Sequence, residues 1–456
     1  MGLAVNQNVI ASSTNSVVFG LGATGLSCAR YLARCGQAFT VVDTRANPPG
    51  LKALMHELPH VPVFLGEVPV SIVESAAELI VSPGIGLEQP LVIKAAAAGV
   101  AVVGDIDLFM REASAPVIGI TGSNAKSTVT ELVAQMGRES GLKVAAGGNL
   151  GTPALDLLAD DCQLYVLELS SFQLERAGTL NLAVATVLNV SEDHLDRHGT
   201  IQNYHRAKHR IFGGCRKVVV NTDDPLTTPL VGQNVAIVSW RMGEPELGGF
   251  GLRTSNGVES LSYQFDALLP TSELLLLGRH NIANALAALA IGHSAGLPMG
   301  AMLTTLRTFS GLKHRCQFIS EIEGVSFVND SKGTNPGATE AALQGLSTGR
   351  NIVLIAGGVG KGANFDQLRD PVSTHCKMLV LIGESTREMQ ACLNDTVVIQ
   401  LADSLEQAVQ MASEQSKRGD CVLLSPACAS FDMFNNYIER GEAFIRAVEN
   451  LPGADR

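Results

Sequence analysis

What this sequence lacks narrows its role before any motif does. No stretch approaches the ~18 uninterrupted apolar residues of a membrane-spanning helix, and residues 1–15 show no basic segment followed by an apolar run. Neither a membrane span nor a secretory leader is therefore expected. Basic charge is in the minority: 33 lysines and arginines against 44 aspartates and glutamates leave a net charge of −11. Such an acidic chain is unsuited to bulk nucleic-acid binding, so anionic substrates have to be held by local cations. The nine cysteines contain no CxxC pair. An odd count without metal spacing reads as mostly buried thiols in a reducing compartment. The expectation is a soluble cytoplasmic protein with no nucleic-acid partner and no membrane insertion.

What is present is an α/β composition, 46% hydrophobic with 46 glycines in 456 residues. At ~150 residues per domain, about three domains are expected, each large enough for a core. Residues 119–128 read G-I-T-G-S-N-A-K-S-T. An apolar strand leads in, and a helix pattern with Val129, Leu132, Val133 and Met136 on one face leads out, stopping at Gly141. Strand, small-residue turn and helix N-terminus gather backbone N–H groups around one point, which suits a phosphate. Lys126 adds positive charge for the outer phosphates, and the Ser127 or Thr128 hydroxyl can reach a bound Mg²⁺. The strict phosphate-loop pattern is missed at Ile120 and Ala125. If position 125 needs a positive φ, alanine there is strained by about 1 kcal/mol.

Upstream, a strand at residues 16–19 runs into G20-L-G-A-T-G25 and a helix, and a second strand ends at Asp43-Thr44-Arg45. This is the G-x-G-x-x-G fingerprint with an acidic residue about 20 positions on, a cradle for a nucleotide diphosphate. Read alone it fits NAD, with Asp43 on a ribose hydroxyl. Arg45, however, is a cation that a plain NAD site does not need. A turn at residues 82–86, S-P-G-I-G, edges the same crevice. Ala115-Pro116 reads as a linker.

The following strands, at 164–169, 183–190 and 217–220, are nearly all apolar, as in a parallel sheet buried on both faces. Polar residues gather at their ends: Glu168, Ser170 and Ser171, then Asn189 and 192–196, then Asn221, Asp223 and Asp224. Glu168 suits Mg²⁺; His194 is open between metal ligand and structural histidine. In a helix over 201–212, Lys208 shares a stripe with Ile201, Tyr204 and Ile211. It either snorkels to water or has its pKa lowered and becomes a nucleophile. Further on, Asn281 reads as an N-cap, and Asn284 as a residue facing out one turn in, able to bond a base. A hinge at 311–315 opens a third α/β unit with strands at 325–328, 352–356, 378–382 and 422–424. Arg315, Lys332 and Lys361 stand near its strand ends, placed for anion capture.

Together these segments resemble the Mur ligases: T-G-S-N-A-K-S-T at 121–128, L-E-L-S-S-F-Q at 167–173, N-V-S-E-D-H-L-D at 189–196, H-N-x-x-N at 280–284, H-R at 314–315 and N-D-S-K at 329–332. G-L-G-A-T-G-L-S at 20–27, D-T-R at 43–45, G-D-I-D-L-F at 104–109 and L-L-S-P-A-C-A-S-F-D at 423–432 are similar to the branch that adds D-glutamate.

The resemblance implies three α/β domains. These are a Rossmann-like UDP-binding domain (1–112), a central P-loop ATPase-like domain with a mostly parallel sheet (113–311), and a Rossmann-like amino-acid-binding domain (312–456). It implies a cytoplasmic, monomeric, ATP-dependent ligase of peptidoglycan precursor synthesis, acting on UDP-N-acetylmuramoyl-L-alanine and D-glutamate through an acyl phosphate. ATP would be held by Gly122, Ser123, Asn124, Ala125, Lys126, Ser127, Thr128, Asn284, Arg315 and Asp330. Two Mg²⁺ ions would be held by Ser127, Thr128, Glu168, His194 and a carbamate formed on Lys208 by CO₂. The UDP substrate would meet Ala23, Thr24, Asp43, Thr44, Arg45, Gly84, Asn149, Ser170 and Gln173. D-Glutamate would meet Thr334, Lys361, Ser430, Phe431 and Tyr437. The chain departs from the family pattern at Ala125, Gly333, Val359 and Tyr437. Two other readings stand beside this one. A nicotinamide oxidoreductase would explain the first turn alone, and a sister ligase for another amino acid, or for folate polyglutamate, would share the ATP core.

Overall fold

The computed structural model of the chain describes residues 15–149, 151–276 and 278–454. Three sheets follow one another along the sequence. The first comprises β1 (Ser16–Phe19), β2 (Phe39–Asp43), β3 (Val63–Leu65), β4 (Glu78–Val81) and β5 (Ala101–Val103). All pairings are parallel, in the order 3-2-1-4-5. The chain leaves β1 toward one side of the sheet and returns at β4 on the other, so a crevice opens past their carboxyl ends. β1 and β2 are apolar on both faces, and Val17, Val18, Phe19, Val41 and Val42 are fully buried.

The central sheet has nine strands: β6 (Val117–Thr121), β7 (Val144–Gly148), β8 (Leu164–Glu168), β9 (Val184–Val187), β10 (Lys217–Asn221), β11 (Ala236–Trp240), β12 (Phe250–Ser255), β13 (Val258–Tyr263) and β14 (Asp266–Pro270). Their order is 14-13-12-11-10-9-6-8-7. β7 to β12 pair in parallel, as the unbroken apolar runs predict, while β12–β13–β14 form an antiparallel meander. Helix Lys126–Glu139 lies on this sheet, and helix Arg279–Ala295 packs against it. The second helix carries alanine and leucine on nearly all faces because it is enclosed nearly all round.

The third sheet comprises β15 (Gln317–Ile322), β16 (Val325–Asn329), β17 (Ile352–Gly357), β18 (Cys376–Ile382), β19 (Val398–Leu401) and β20 (Cys421–Leu424), in the order 15-16-20-17-18-19. Only β15 runs antiparallel to its neighbour. The expected α/β class with three mostly parallel sheets is what the structure shows. All nine cysteines are free, and five of them are buried. Among the described residues no helix is long and apolar enough to cross a membrane. The leader expectation concerns residues 1–15, of which all but Asn15 lie outside the described residues.

Candidate active site

β6 lies between β8 and β9, so the turn that follows it is flanked by the ends of both neighbours. Ala125 is the N-cap of helix Lys126–Glu139 and has φ +68°. The left-handed alternative thus holds, and the methyl group carries a strain of about 1 kcal/mol. The Lys126 Nζ folds back to donate to the carbonyls of Gly122 (2.7 Å) and Ser123 (2.8 Å).

Lys208 Nζ donates to the same Gly122 carbonyl at 2.8 Å and lies 4.3 Å from the Tyr204 ring centroid. Lys208 is only 1% exposed, which removes the snorkelling alternative. Burial, reinforced by the charge of Lys126, holds its ammonium well below the usual lysine range.

Glu168, at the end of β8, accepts from Ser127 Oγ at 2.5 Å and from Asn149 Nδ2 at 2.7 Å. Burial pushes this carboxyl up, but Lys126 and the two hydrogen bonds outweigh burial and keep it anionic. Arg315 reaches across from the third domain to donate to Ser127 Oγ at 2.9 Å. His194 has φ +53° and stands edge-on to Phe172 at 4.8 Å, with Nε2 3.6 Å from Asp193 Oδ2. Its partial burial lowers its imidazolium below the usual histidine range, against the pull of Asp193. Among the described residues no group of three or more His, Cys, Asp or Glu side chains is already gathered for a metal. The donors at hand are one buried carboxylate and adjacent hydroxyls. That oxygen set fits a hard cation whose remaining positions are filled by phosphate oxygens and water.

Above this turn, between the central and third domains, lies a cavity of about 220 Å³. Asn124, Ala125, Thr128, Asn284, Arg315 and Asp330 all line it. So does Asn221, one of the polar strand-end residues noted in the sequence, and so do Leu188 and Trp240, which sequence reasoning did not single out. The one tryptophan of the chain, at the end of β11, was the available signal; its buried Nε1 has no hydrogen-bond partner in the structure. Two expectations need correcting here. Gly278, not Asn281, caps helix Arg279–Ala295, and Asn281 lies within the first turn. Asn284 does not face out: it is 8% exposed, donates to Asn281 Oδ1 at 3.0 Å and borders the cavity. The third domain covers that side of the helix.

Asp330 follows β16 and accepts from Ser425 Oγ (2.7 Å) and the Cys316 amide (3.2 Å). Burial pushes its carboxyl up to about 6. Lys332 lies 4.1 Å from the Tyr437 ring centroid, and burial together with nearby Arg315 lowers its ammonium to about 8. Asn335 joins the two domains directly. Its Nδ2 reaches Asn124 Oδ1 and Asp193 Oδ2, both at 3.2 Å, while its Oδ1 caps helix Pro336–Leu346.

Thr334 and Lys361 border a narrow cleft with Glu192 and His194. Val359, one of the departures from the family pattern, makes a β-bridge with Ala429 and so brings the Lys361 loop beside Ser430. Ser430 is buried, Tyr437 is half-buried, and Phe431 is 72% exposed, away from the packed centre.

In the N-terminal domain Ala23, Thr24, Asp43, Thr44, Arg45 and Gly84 lie at the carboxyl ends of β1, β2 and β4. Asp43 is fully occupied there. It accepts from the Leu21 amide (2.7 Å), the Arg45 amide (2.9 Å) and the Arg45 guanidinium (2.6 and 2.9 Å). Burial raises its carboxyl, and Arg45 more than offsets this. Its place is to brace the turn, so a ribose would have to displace Arg45. Gln173 is likewise engaged: it closes a capping box with Ser170 and donates to buried Asp105 at 2.9 Å. That places Gln173 in the seam between the first two domains.

Three family models match the chain: "Mur ligase MurD-like, N-terminal domain" over residues 14–104, "Mur ligase middle domain" over 120–292 and "Mur ligase, glutamate ligase domain" over 314–428. Among curated relatives, the UDP-N-acetylmuramoylalanine--D-glutamate ligases of Pseudomonas fluorescens (strain Pf0-1) and Pseudomonas aeruginosa are 53% and 54% identical. In each case the match covers 98% of this chain and 100% of the relative. The enzyme of that name from Marinobacter nauticus is 48% identical over the same shares. The fold is shared with the solved UDP-N-acetylmuramate-alanine ligase of Thermotoga maritima (TM-score 0.59, 17% identity, 95% of this chain and 99% of that one). It is also shared with a pseudomurein peptide ligase type C of Methanothermus fervidus (TM-score 0.57, 20% identity, 90% and 96%).

Proposed function

The chain belongs to the Mur ligase family, and we infer from this that it joins D-glutamate to UDP-N-acetylmuramoyl-L-alanine, driven by ATP, in cytoplasmic peptidoglycan precursor synthesis. The observation that carries the catalytic reading is the meeting of Lys126, Ser127, Glu168 and Arg315 at one helix N-terminus beneath the cavity. A carboxylate is a poor electrophile, so it has to be activated before an amine can attack it. One oxygen of the substrate's terminal carboxylate attacks the γ-phosphorus, and the bond to the ADP oxygen breaks. The amine of D-glutamate then attacks the acyl carbon, and phosphate and a proton leave. Both steps demand positioning and neutralisation of spreading negative charge.

The chain's residues divide this work. Lys126 leaves its two carbonyls for the phosphates, and Arg315 and Lys332 hold the nucleotide from the third domain. Asn284 and Trp240 border the base, and Asp330 lies within reach of the ribose. Asn149 and Ser170 face the acceptor. Thr334, Lys361, Ser430 and Tyr437 hold D-glutamate, with Phe431 closing over it. Glu168, His194 and the hydroxyls of Ser127 and Thr128 would hold Mg²⁺, which when bound supplies charge neutralisation on the phosphoryl oxygens. Lys208, its ammonium held by burial well below the usual lysine range, would add CO₂ with release of a proton, and the resulting carbamate would be a carboxylate on a long arm, able to help hold the same ions. The enzyme works as a monomer.

Phosphate release measured with UDP-N-acetylmuramoyl-L-alanine and ATP tests the reading. Release should require D-glutamate and stay at background with L-alanine or diaminopimelate. Release driven by diaminopimelate would assign the chain to a sister ligase, and none with any amino acid would remove the ligase reading.

A further inference from the structure

Arg176 has no part in the chemistry just described, yet it is one of the most completely bonded side chains of the molecule. It lies just past the short helix Ser171–Leu174 that follows β8, and its side chain is 0% exposed. Its Nη1 donates to the Val81 (3.0 Å) and Ser82 (2.8 Å) carbonyls, and its Nη2 to those of Ile85 (2.8 Å) and Pro83 (3.3 Å). Nη2 also pairs with Glu175 at 2.8 Å, and Nε donates to its own helix at the Phe172 carbonyl. Four acceptors therefore come from one loop of another domain, the loop that carries Gly84 and borders the UDP crevice. That loop is tied onward, since Ser82 Oγ donates to the Gly20 carbonyl in the first turn at 2.9 Å. Arg197 also donates to the Ile85 carbonyl, at 2.9 Å, and pairs with Glu175.

The room for Arg176 is built in. A Cβ on Gly104 would stand 2.9 Å from its Cγ, so the helix Asp105–Glu112 begins with a glycine where the arginine passes. The same short segment is pinned twice more, by Gln173 to Asp105 (2.9 Å) and by the Gly178 amide to Asp107 (2.7 Å). A buried guanidinium without a full set of acceptors is strongly unfavourable, so this one holds the loop in a single place. Six residues earlier on the same segment stands Ser170, directly beyond β8 and its Glu168.

We propose that Arg176 is a positioning residue that fixes the span between the UDP crevice and the phosphoryl-transfer point, so that a substrate anchored by its nucleotide presents its far carboxylate at the correct reach. The proposal rests on the ligase reading above. The UDP group binds in one domain and the reacting carboxylate in another, and nothing in the substrate itself keeps the two protein surfaces in register. Lysine in its place would offer three N–H donors on a point charge, too few to hold five carbonyls and one carboxylate.

The test compares Arg176→Lys and Arg176→Met with wild type on two acceptors, UDP-N-acetylmuramoyl-L-alanine and N-acetylmuramoyl-L-alanine lacking the nucleotide. Both variants should lose on the order of 10- to 100-fold in kcat/KM on the full substrate. The loss on the nucleotide-free acceptor should be under about 2-fold, with the KM for ATP unchanged, because without an anchor the span has nothing to set. Equal losses on both acceptors, or no loss on either, would overturn the proposal. If Arg176→Met does not fold, Arg176→Lys and Arg197→Gln, which removes one of the loop's bonds, decide the matter by the same ratio. Wild type inactive on the full substrate would instead count against the ligase reading itself.

Discussion

The turn after β1, residues 20–25, and the turn after β6, residues 122–125, both carry a parallel strand into a helix N-terminus, yet their interiors are filled in opposite ways. The first is closed by fixed partners. Its Leu21 amide is bonded to Asp43, its Gly20 carbonyl to Ser82, and a Cβ on Gly25 would fall 1.7 Å from the Gly20 oxygen. The second brings two lysine Nζ atoms to one carbonyl, that of Gly122, and is entered through a strained alanine. Cations resting on neutral carbonyls are easily passed to an anion, whereas a carboxylate locked to an arginine is not. The comparison separates a turn that is a rigid shelf from a turn that is a charge reservoir.

The largest effect should come from removing the reservoir's buried amine. Lys208→Ala should lose at least about 10²-fold in kcat while keeping its circular dichroism and melting profile, and short carboxylic acids should restore part of the rate. Full activity in that variant would place the lysine outside the chemistry.

Next comes the shelf. Gly25→Ala should destabilise the N-terminal domain by about 3 kcal/mol, because a backbone oxygen cannot move aside as a side chain can. A urea midpoint equal to wild type would mean that the turn is softer than the contacts indicate.

A smaller effect concerns protons. Lys332 has an ammonium lowered to about 8, so near pH 8 part of the population is uncharged, and a triphosphate bound beside it, as proposed above, would restore the charge. Titration calorimetry in buffers of different ionisation enthalpy should therefore show proton uptake on Mg·ATP binding at pH 8, and none in Lys332→Arg. In the free protein the sign for stability is opposite to that of a salt-bridged lysine. A folded pKa below the unfolded one makes this group's contribution grow as pH rises from about 8 toward 10.5.

The smallest effect is Ala125→Gly. It should relieve the left-handed strain and raise stability by under about 1 kcal/mol, since glycine's extra unfolded-state freedom returns part of the gain. A loss of stability would show that the methyl group packs usefully.

Much of this was readable in the sequence. The parallel strands announce themselves as unbroken apolar runs, and Lys208 was visible as a charge on an apolar stripe of helix Ile201–His209. Its burial was not visible, because the Gly122 carbonyl that receives its Nζ lies 86 residues upstream in the turn after β6. The meander β12–β14 was missed: its one-sided burial gives short alternating segments that do not resemble a buried parallel strand. Asn281 and Asn284 were misplaced because what covers their helix belongs to another domain. Arg176, between Glu175 and Ala177, reads locally as a solvated helix charge. Only the loop carbonyls from about 90 residues upstream show otherwise. Local rules recovered the elements, whereas burial of polar groups was decided by contacts between domains.

The resting place of Lys126 has one further consequence. A guest that draws this ammonium away must replace two carbonyl bonds before it gains anything. A chain of three phosphoryl groups can do so with several oxygens while also meeting the amides of the turn. A lone orthophosphate has fewer oxygens to offer and must still break both bonds. The corner thus sets a threshold of two carbonyl bonds that any anionic guest has to outbid.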